Sequence, residues 1–167
     1  MYKNQNLGTR MPAGFEQFIR GNMGRIRRIA LRYAEIGESE DLSQEILIAL
    51  WRGYKGFRGD SKPETWMYRI AFNTAMTSVR KSIRKREGES KLKSLSRMED
   101  FSSTGFSETD ILTTFLNSLN EIDASVLMMY LDGLSADEME KVLGVKANAI
   151  GVRVNRIKQK YIKTHVE

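Results

Sequence analysis

The first helix that the sequence predicts begins near Phe15. Its apolar side chains recur every three or four residues, so they share one face of a helix. They are Phe15, Phe18, Ile19, Met23, Ile26, Ile29, Ala30 and Tyr33. The other face is basic, with Arg20, Arg25, Arg27, Arg28 and Arg32. Such a face suits plain solvation as well as contact with phosphates. We expect Gly37 to end the helix and residues 1–14 to form a loose tail before it.

A second helix is predicted from Asp41 to Tyr54, with Ser39 as its cap and an acidic first turn. It is apolar almost all round. The residues expected to pack on the first helix are Leu42, Ile46, Ala49 and Leu50. The side then left exposed would carry Leu47, Ile48 and Trp51 beside Gln44 and Glu45. An apolar patch with a polar rim is typical of a partner surface. A helix enclosed in a three-helix core gives the same pattern, so both interpretations stay open.

The third predicted helix opens at Pro63, capped by Ser61 or Lys62, after a turn broken by glycines. Its expected inward residues are Met67, Ile70, Ala71, Thr74 and Ala75. The residues expected to face outward, in the turn and on this helix, are Phe57, Arg58, Lys62, Trp66, Tyr68, Arg69 and Asn73. Cations for phosphates and flat rings for unstacked bases are what single-stranded nucleic acid requires of a protein. A tryptophan at such a position is more often a core residue, and that alternative remains for Trp66.

The composition changes after this helix. Residues 80–93 are strongly basic, and residues 94–107 are polar without a sustained period. We interpret residues 89–107 as a linker into which the third helix frays. The linker divides the chain into two small helical domains, residues 15–88 and residues 108–167. The predicted fold class is therefore all-α.

The C-terminal part combines an acidic scaffold with a basic last helix. No Lys or Arg occurs from Phe101 to Glu140. The pattern predicts one helix with Ile111, Leu112, Phe115, Leu116 and Leu119, and a second from Ala124 to Asp132 that Gly133 stops. Ser135 to Glu138 form a capping box for a short third helix, and a glycine turn leads to a basic helix from Ala147. This order is typical of a helix-turn-helix, whose second helix enters the major groove. A plain helical hairpin is the alternative.

Composition narrows the function classes. The 167 residues carry a net charge of +6 and a pI near 9.6, which favours a polyanionic partner. There is no cysteine and the only histidine is His165, so thiolate and histidine metal sites and a histidine triad are excluded. We expect neither a metal nor a cofactor. The sequence contains no apolar run of membrane-spanning length and no secretory segment, so we expect no membrane insertion and a cytoplasmic protein.

Two stretches resemble a known family. The run D-L-S-Q-E-I-L-I-A-L-W (41–51), followed by F-R-G-D-S-K-P-E-T-W-M-Y-R-I-A-F-N (57–73), resembles region 2 of the extracytoplasmic-function (ECF) sigma factors of bacterial RNA polymerase. Residues 119–145, with the helix after them, resemble region 4 of the same family. The order of the two matches and the linker between them also fit. The resemblance implies a protein that binds core RNA polymerase and promoter DNA, both double-stranded and melted.

The resemblance assigns roles to residues by position. Those matching the helix that docks on core polymerase are Asp41, Gln44, Glu45, Leu47, Ile48 and Trp51. Those matching the loop and helix that bind the melted −10 element are Arg58, Asp60, Ser61, Lys62, Trp66, Arg69, Asn73 and Arg80. Those matching the side of the recognition helix that faces the −35 element are Asn148, Gly151, Val152, Asn155, Arg156 and Lys158. Capturing an extruded base lets binding energy offset unstacking, so melting needs no ATP.

One departure from the family concerns the recognition helix. The family commonly has Thr-Val-Lys/Arg-Ser-Arg where this chain has A-I-G-V-R (149–153). Gly151 and Val152 lack the usual hydrogen-bonding groups. We therefore expect either altered −35 specificity that depends on Asn155 and Arg156, or weaker binding to the −35 element. Family members are often held inactive by an anti-sigma factor, which is a further candidate partner.

Two other function classes deserve comparison. A stand-alone helix-turn-helix regulator would bind duplex DNA alone and would leave the patch from Gln44 to Trp51 unexplained. An enzyme could use Asp41, Glu45 and Asp60 as a carboxylate metal site, since the first two share a helical face. No glycine-rich phosphate-binding loop and no further metal ligand accompany them. Of the three function classes, the enzyme is therefore the least supported by the sequence.

Overall fold

The computed structural model describes residues 14–89 and 108–165. Within these ranges every regular element is a helix, which confirms the all-α prediction. The helices are α1 Phe15–Tyr33, α2 Ser39–Tyr54, α3 Pro63–Glu89, α4 Glu108–Asn117, α5 Glu121–Leu131, α6 Ala136–Leu143 and α7 Ala147–His165. The tail predicted for residues 1–14, apart from Gly14, and the linker predicted for 89–107, apart from Glu89, lie outside the described residues.

Helices α1, α2 and α3 pack on one another as a three-helix unit around a closed apolar core. The inward face predicted for α1 is buried for the most part, with Phe18 and Met23 half-buried. Two boundary predictions were wrong. Helix α1 ends at Tyr33, because Ala34 already has an extended backbone (ψ 157°). Ser39 is the first residue of α2 and not its cap, which is Glu38.

Helix α3 begins at Pro63 as predicted and continues to Glu89, so it stays helical through most of the basic stretch expected to fray. Met67, Ala71 and Ala75 are buried, as expected for its inward face. Tyr68 was predicted to face outward and is instead buried, with 1% of its surface exposed. The prediction failed because it treated α3 as packing on the first unit alone, whereas a second face of α3 packs on the C-terminal unit.

Helices α4 to α7 form the C-terminal unit. Asn120 caps α5 by accepting a hydrogen bond from the Asp123 N–H. Ser135 and Glu138 form the predicted capping box of α6. The α6–α7 turn contains Gly144 with φ 69°, a left-handed conformation that glycine adopts without strain. Helix α6, this turn and α7 are the elements of the predicted helix-turn-helix.

The two units are in direct contact through α1. The Tyr33 hydroxyl lies 2.5 Å from Ser125 Oγ and 2.8 Å from the Glu121 carbonyl oxygen. Its ring is buried, and burial raises the pKa of the Tyr33 phenol. Arg32 donates from Nη2 to the Leu119 carbonyl at 2.8 Å. The start of α5 is therefore held to the end of α1 by buried and partly buried hydrogen bonds.

A second set of contacts joins α1 and α3 to the end of α5 and the start of α6. The Asp132 carboxylate accepts a hydrogen bond from the Tyr68 hydroxyl and lies 3.4 Å from Arg25 Nε and 3.3 Å from Arg28 Nη2. Burial is the main cause that raises the pKa of Tyr68, and the hydrogen bond to Asp132 adds to it. At the start of α3, Lys62 Nζ lies 2.8 Å from Glu138 Oε1.

The Lys62–Glu138 pair leads to a pH prediction. The hydrogen bond from Lys62 lowers the pKa of Glu138 to about 2 from its ordinary 4.5, with help from the Ser135 N–H. Because the folded-state pKa is the lower one, the contact stabilises the fold above pH 4.5 and loses this contribution as the pH falls through about 2. A side-chain carboxyl NMR titration should find this value, and Lys62→Met should raise it towards 4.5. Lys81→Met, an exposed lysine of α3, should leave it unchanged. An ordinary pKa in the wild type would contradict the contact.

Candidate nucleic-acid and polymerase interfaces

The outer face of α2 carries a mixed polar and apolar ridge. Asp41, Gln44, Glu45 and Ile48 are exposed, and Ile48 keeps 50% of its surface in solvent. The opposite face is buried through Leu42, Ile46 and Leu50, while Ala49 is half-buried. Helix α2 is therefore enclosed on one side, as the core interpretation predicts, and exposed on the other. It lies between α1 and α3, yet it leaves an unpartnered ridge among the described residues.

Leu47 and Trp51, which were predicted to be exposed with this ridge, are only half-exposed. Both pack against the apolar core. The Trp51 ring contacts the edge of Phe15, with ring centroids 5.3 Å apart. These two side chains therefore support the ridge from beneath and offer a partner only part of their surface.

The turn between α2 and α3 presents polar side chains to solvent. Arg58 and Asp60 are exposed and Ser61 is half-buried. Gly59 between them has φ 78°, a conformation that L side chains rarely adopt, and this tightens the turn. Lys62 follows at the start of α3, where its ammonium group is engaged with Glu138. The turn could thus offer one free guanidinium and several hydrogen-bonding groups to a ligand.

Trp66 is part of an aromatic cluster and is half-buried. Its ring centroid lies 5.2 Å from that of Phe57, 6.0 Å from Phe18 and 6.4 Å from Tyr54. A Cβ added at Gly53 would come within 3.3 Å of the Trp66 ring. The structure thus gives Trp66 a packing role that fixes Phe57 and the turn, in line with the core alternative. Part of the Trp66 side chain remains exposed.

Arg69, Asn73 and Arg80 are exposed along α3 at helical spacing. Asn73 and Arg80 line one wall of a cleft of about 520 Å³ between the two units. The facing wall comes from the C-terminal unit and includes Glu121, Val142 and Leu143. This part of the candidate strand-binding face therefore lies beside the C-terminal unit, while its polar side chains stay exposed.

Helix α7 carries the last predicted set. Asn148, Val152, Asn155, Arg156 and Lys158 are exposed, while Gly151 is half-buried. A Cβ at Gly151 would meet no atom within 4 Å, so the glycine leaves open space on this face. The Lys158 ammonium lies over the Tyr130 ring, 4.5 Å from its centroid. These polar side chains therefore lie on the solvent side of α7.

Two ionic contacts hold α7 in place, and neither was predicted. Arg153 was predicted only as a polar residue. Its Nη1 donates to the buried carboxylate of Asp123 at 2.6 Å. The Ala147 N–H at the start of α7 donates to Glu140 at 2.9 Å. The linear pattern has no signal for the first contact, because the partners lie 30 residues apart.

The carboxylate hypothesis for an enzyme finds no support in the geometry. Among residues 14–89 and 108–165 no group of three or more Asp, Glu or His side chains is placed to hold a metal ion, so Asp41, Glu45 and Asp60 do not form such a site. In the same part of the chain, no helix is both long enough and apolar enough to cross a membrane.

Comparison with known proteins agrees with this geometry. Residues 18–86 match the family model of Sigma-70 region 2, and residues 109–160 match that of Sigma-70 region 4. The chain is similar to the ECF RNA polymerase sigma-E factor of Escherichia coli strain K12, with 25% identity over 148 residues that cover 81% of this chain and 78% of that protein.

Two solved structures have a similar fold. One is the sigma factor RpoE of Bartonella quintana in complex with the anti-sigma factor NepR, with a TM-score of 0.75, 20% identity, and coverage of 89% of this chain and 94% of that one. The other is CnrH in complex with the cytosolic domain of CnrY, with a TM-score of 0.62, 19% identity, and coverage of 90% and 86%. Since both regions match in the expected order over more than two thirds of the sequence, the chain belongs to the sigma-70 family as an ECF sigma factor.

Proposed function

We propose that this sigma factor acts through three separate surfaces, with α2 binding core RNA polymerase, the α2–α3 turn and α3 binding the melted −10 strand, and α7 reading the −35 duplex. The observation that carries the proposal is that one chain presents exposed, chemically suitable residues on each of these helices. In this scheme residues 15–88 and 108–167 are the two working domains. The activity is binding alone, as is general for sigma factors, and its place is the cytoplasm.

The α2 ridge suits a protein partner. Ile48 offers an apolar centre, and Asp41, Gln44 and Glu45 supply a polar rim around it. An apolar anchor surrounded by polar contacts is the usual anatomy of a protein–protein interface. A stand-alone DNA-binding regulator would have no use for this ridge, and the ridge is the feature that favours a polymerase subunit.

The two proposed DNA surfaces differ in chemistry, as do the single-stranded and double-stranded DNA that they would bind. The turn and α3 combine Arg58, Arg69 and Asn73 with the exposed part of Trp66, which suits phosphates and unstacked bases of a single strand. Helix α7 carries Asn155 and Arg156, side chains that hydrogen-bond adenine and guanine edges in the major groove. With Gly151 and Val152 contributing no polar group, base reading at the −35 element depends on these two residues.

An anti-sigma factor is a further partner in this proposal. The B. quintana structure contains NepR and the CnrH structure contains the cytosolic domain of CnrY. An apolar groove of about 390 Å³ on α4, α5 and α7, lined by Leu112, Tyr130 and Ile162 among others, has the chemistry to accept an apolar segment of such a partner.

Ile48→Ala tests the polymerase surface. Removing an apolar anchor that becomes buried only in the complex should weaken binding to bacterial core RNA polymerase about tenfold, or roughly 1.4 kcal/mol. Ile83→Ala is the matched control, because Ile83 is an isoleucine on α3 with a similar exposed fraction, 48% against 50%. Native-gel titration of labelled protein measures both. Equal affinities of the two variants would remove α2 from the interface, and no binding by the wild type would overturn the sigma role.

Arg69→Ala tests the strand-binding surface. We expect closed promoter complexes to form normally with the variant holoenzyme while the melted fraction falls severalfold, because α3 would contact the strand only after it unpairs. Permanganate reactivity of unpaired thymines, on a promoter selected by run-off transcription, reports melting separately from binding. Arg27→Ala, an exposed arginine of α1 outside all three surfaces, should behave as wild type. An equal loss of both complexes would refute a role specific to melting.

Arg156→Ala tests the reading of duplex DNA. Loss of a contact to a base edge should cost about 1–3 kcal/mol against the preferred −35 sequence and little against other duplexes. Lys163→Ala, on the same helix and also exposed, is the control for loss of charge alone. Competition gel shifts with cognate and scrambled duplexes give the specificity ratio. If both variants lose affinity equally for every sequence, α7 contacts the backbone and reads no base at this position.

A further inference from the structure

The inward side of α7 contains a charged residue among its apolar ones. Ile150 and Ile157 are buried, and Arg153 lies between them at spacings of three and four residues, which places all three on one side of the helix. The Arg153 side chain keeps 28% of its surface exposed. A largely buried guanidinium is costly unless it is paired, so its partner has to lie on the surface that α7 packs against.

That partner is Asp123 in the first turn of α5. Arg153 Nη1 donates to Asp123 Oδ1 at 2.6 Å, and Oδ2 of the same carboxylate accepts from Asn120 Nδ2 at 2.8 Å. Asn120 is also the N-cap of α5, because its Oδ1 accepts from the Asp123 N–H at 2.9 Å. Both carboxylate oxygens are therefore engaged, and the acceptor that α5 offers to α7 is held in place by the cap of its own helix.

Apolar packing alone specifies the rotation of α7 about its axis only loosely. Helix α5 buries seven consecutive residues, 123–129, so it presents buried surface on every side. The residues of α7 that pack on the core are Ile150, Val154, Ile157 and Tyr161, and apolar contacts of this kind are non-directional. A charge-assisted hydrogen bond, in contrast, is short and has a preferred direction. The ion pair between α5 and α7 therefore adds the directional information that the apolar contacts lack.

Other polar contacts of α7 with its unit constrain this rotation less. The hydrogen bond from the Ala147 N–H to Glu140 holds only the first turn of the helix. Lys158 and Lys160 reach neighbouring groups from exposed side chains with flexible stems. The pair of Arg153 with a buried carboxylate, near the middle of the helix, is therefore the contact that best distinguishes one rotational setting of α7 from the next.

The rotational setting matters because the side chains proposed to read bases are neighbours of Arg153 on the helix. Asn155 and Arg156 follow it within one turn, and both are exposed. A rotation of roughly 20° about the axis moves a side-chain atom that lies about 6 Å from the axis by about 2 Å. Hydrogen bonds to base edges do not survive such a displacement, whereas contacts of flexible cations with phosphates do. Loss of the setting would therefore reduce sequence recognition more than overall affinity.

We propose that Arg153 is a positioning residue for recognition of the −35 duplex. Held by Asp123, it fixes the rotational setting in which Asn155 and Arg156 meet base edges, and it does not itself contact DNA. This rests on the proposed function for the assignment of α7 to the −35 element, while the ion pair rests only on the geometry of the C-terminal unit. The two arginines of α7 thus have separate tasks, since Arg153 binds the scaffold and Arg156 binds the ligand.

Two single variants and their combination test the proposal. Arg153→Met keeps an unbranched apolar stem without the charge, and Asp123→Leu removes the partner while Asn120 keeps its bond to the backbone N–H of residue 123. Replacing a buried ion pair by apolar side chains of similar size is often neutral for stability, so Asp123→Leu/Arg153→Met should stay folded even where a single variant does not. Circular dichroism checks this. Lys160→Met is the control, because it also removes one positive charge from α7, at an exposed position.

Specificity is measured as the ratio of holoenzyme affinities for promoters with the preferred and with a scrambled −35 element. We expect this ratio to fall about tenfold in each single variant and no further in the double variant, because all three lose the same contact. Lys160→Met should keep the wild-type ratio. A wild-type ratio in Asp123→Leu, which leaves Arg153 present and unpaired, would make the arginine a direct DNA contact and overturn the proposal.

The salt dependence of the same binding gives a second readout, which a loss of stability would not change. A side chain that contacts a phosphate contributes about one unit to the slope of log affinity against log salt concentration. Because Arg153 is proposed to contact no DNA, Arg153→Met should keep the wild-type slope on the scrambled promoter. A slope that is smaller by about one unit would identify Arg153 as a phosphate contact and contradict the positioning role.

The rotation of α7 can be measured directly by pulsed electron paramagnetic resonance. The sequence has no cysteine, so Asp137→Cys on α6 and Gln159→Cys on α7, both exposed, take spin labels specifically. We expect one narrow distance distribution when Arg153 and Asp123 are intact, and a broadened or shifted one in Asp123→Leu/Arg153→Met. An unchanged distribution would show that the pair does not set the rotation of α7, and the proposal would be wrong.

This proposal and the proposed function fail in different ways. If Arg156→Ala lowers the specificity ratio while the variants of Arg153 and Asp123 keep it, α7 still reads the duplex and only the positioning role is wrong. If Arg156→Ala also keeps the wild-type ratio, α7 reads no base at that position, and the proposed reading by α7 and the role of Arg153 are both overturned. The same holoenzyme titrations, with all variants measured side by side, separate these outcomes.

Discussion

The carboxylate of Asp132 connects more of this molecule than any other polar group described in it. It stands at the C-terminal end of α5 and faces Tyr68 of α3 together with Arg25 and Arg28 of α1. A carboxylate withdrawn from water is tolerated only when its oxygens are satisfied, so these partners have to stay in place while the two units are in contact. The constraint is mutual, because Tyr68 also has its hydroxyl buried and requires an acceptor.

That constraint explains how the charge of the chain is divided. A protein with a net charge of +6 could spread its acidic residues over the whole surface, yet none of the residues from 101 to 140 is basic. The acidic helices pack on the basic helix α7 on one side and meet basic residues of α1 and α3 on the other. Different carboxylates of the C-terminal unit therefore serve two purposes. Asp123 orients α7 through Arg153, and Asp132 and Glu138 bind the first unit.

The helices and their inward faces could be predicted from the sequence because they depend on local rules. Apolar spacing, Pro63 at a first turn and the Ser135 capping box each act within a few residues, and each was confirmed. The end of α1 was misplaced, since the chain turns at Ala34 without a glycine. Gly37, with its positive φ of 81°, lies in the connection that follows and does not end the helix.

The candidate site could be predicted only in part. Residues exposed on α2 and α7 were identified because exposure follows from helical phase within one unit. The environment of Tyr68 depends on Asp132 and that of Lys62 depends on Glu138, partners some 64 to 76 residues away. The periodicity of the sequence contains no information about such distant contacts. Trp66 shows the same limit, because its packing against Phe18 and Gly53 arises from the three-dimensional meeting of α1, α2 and α3.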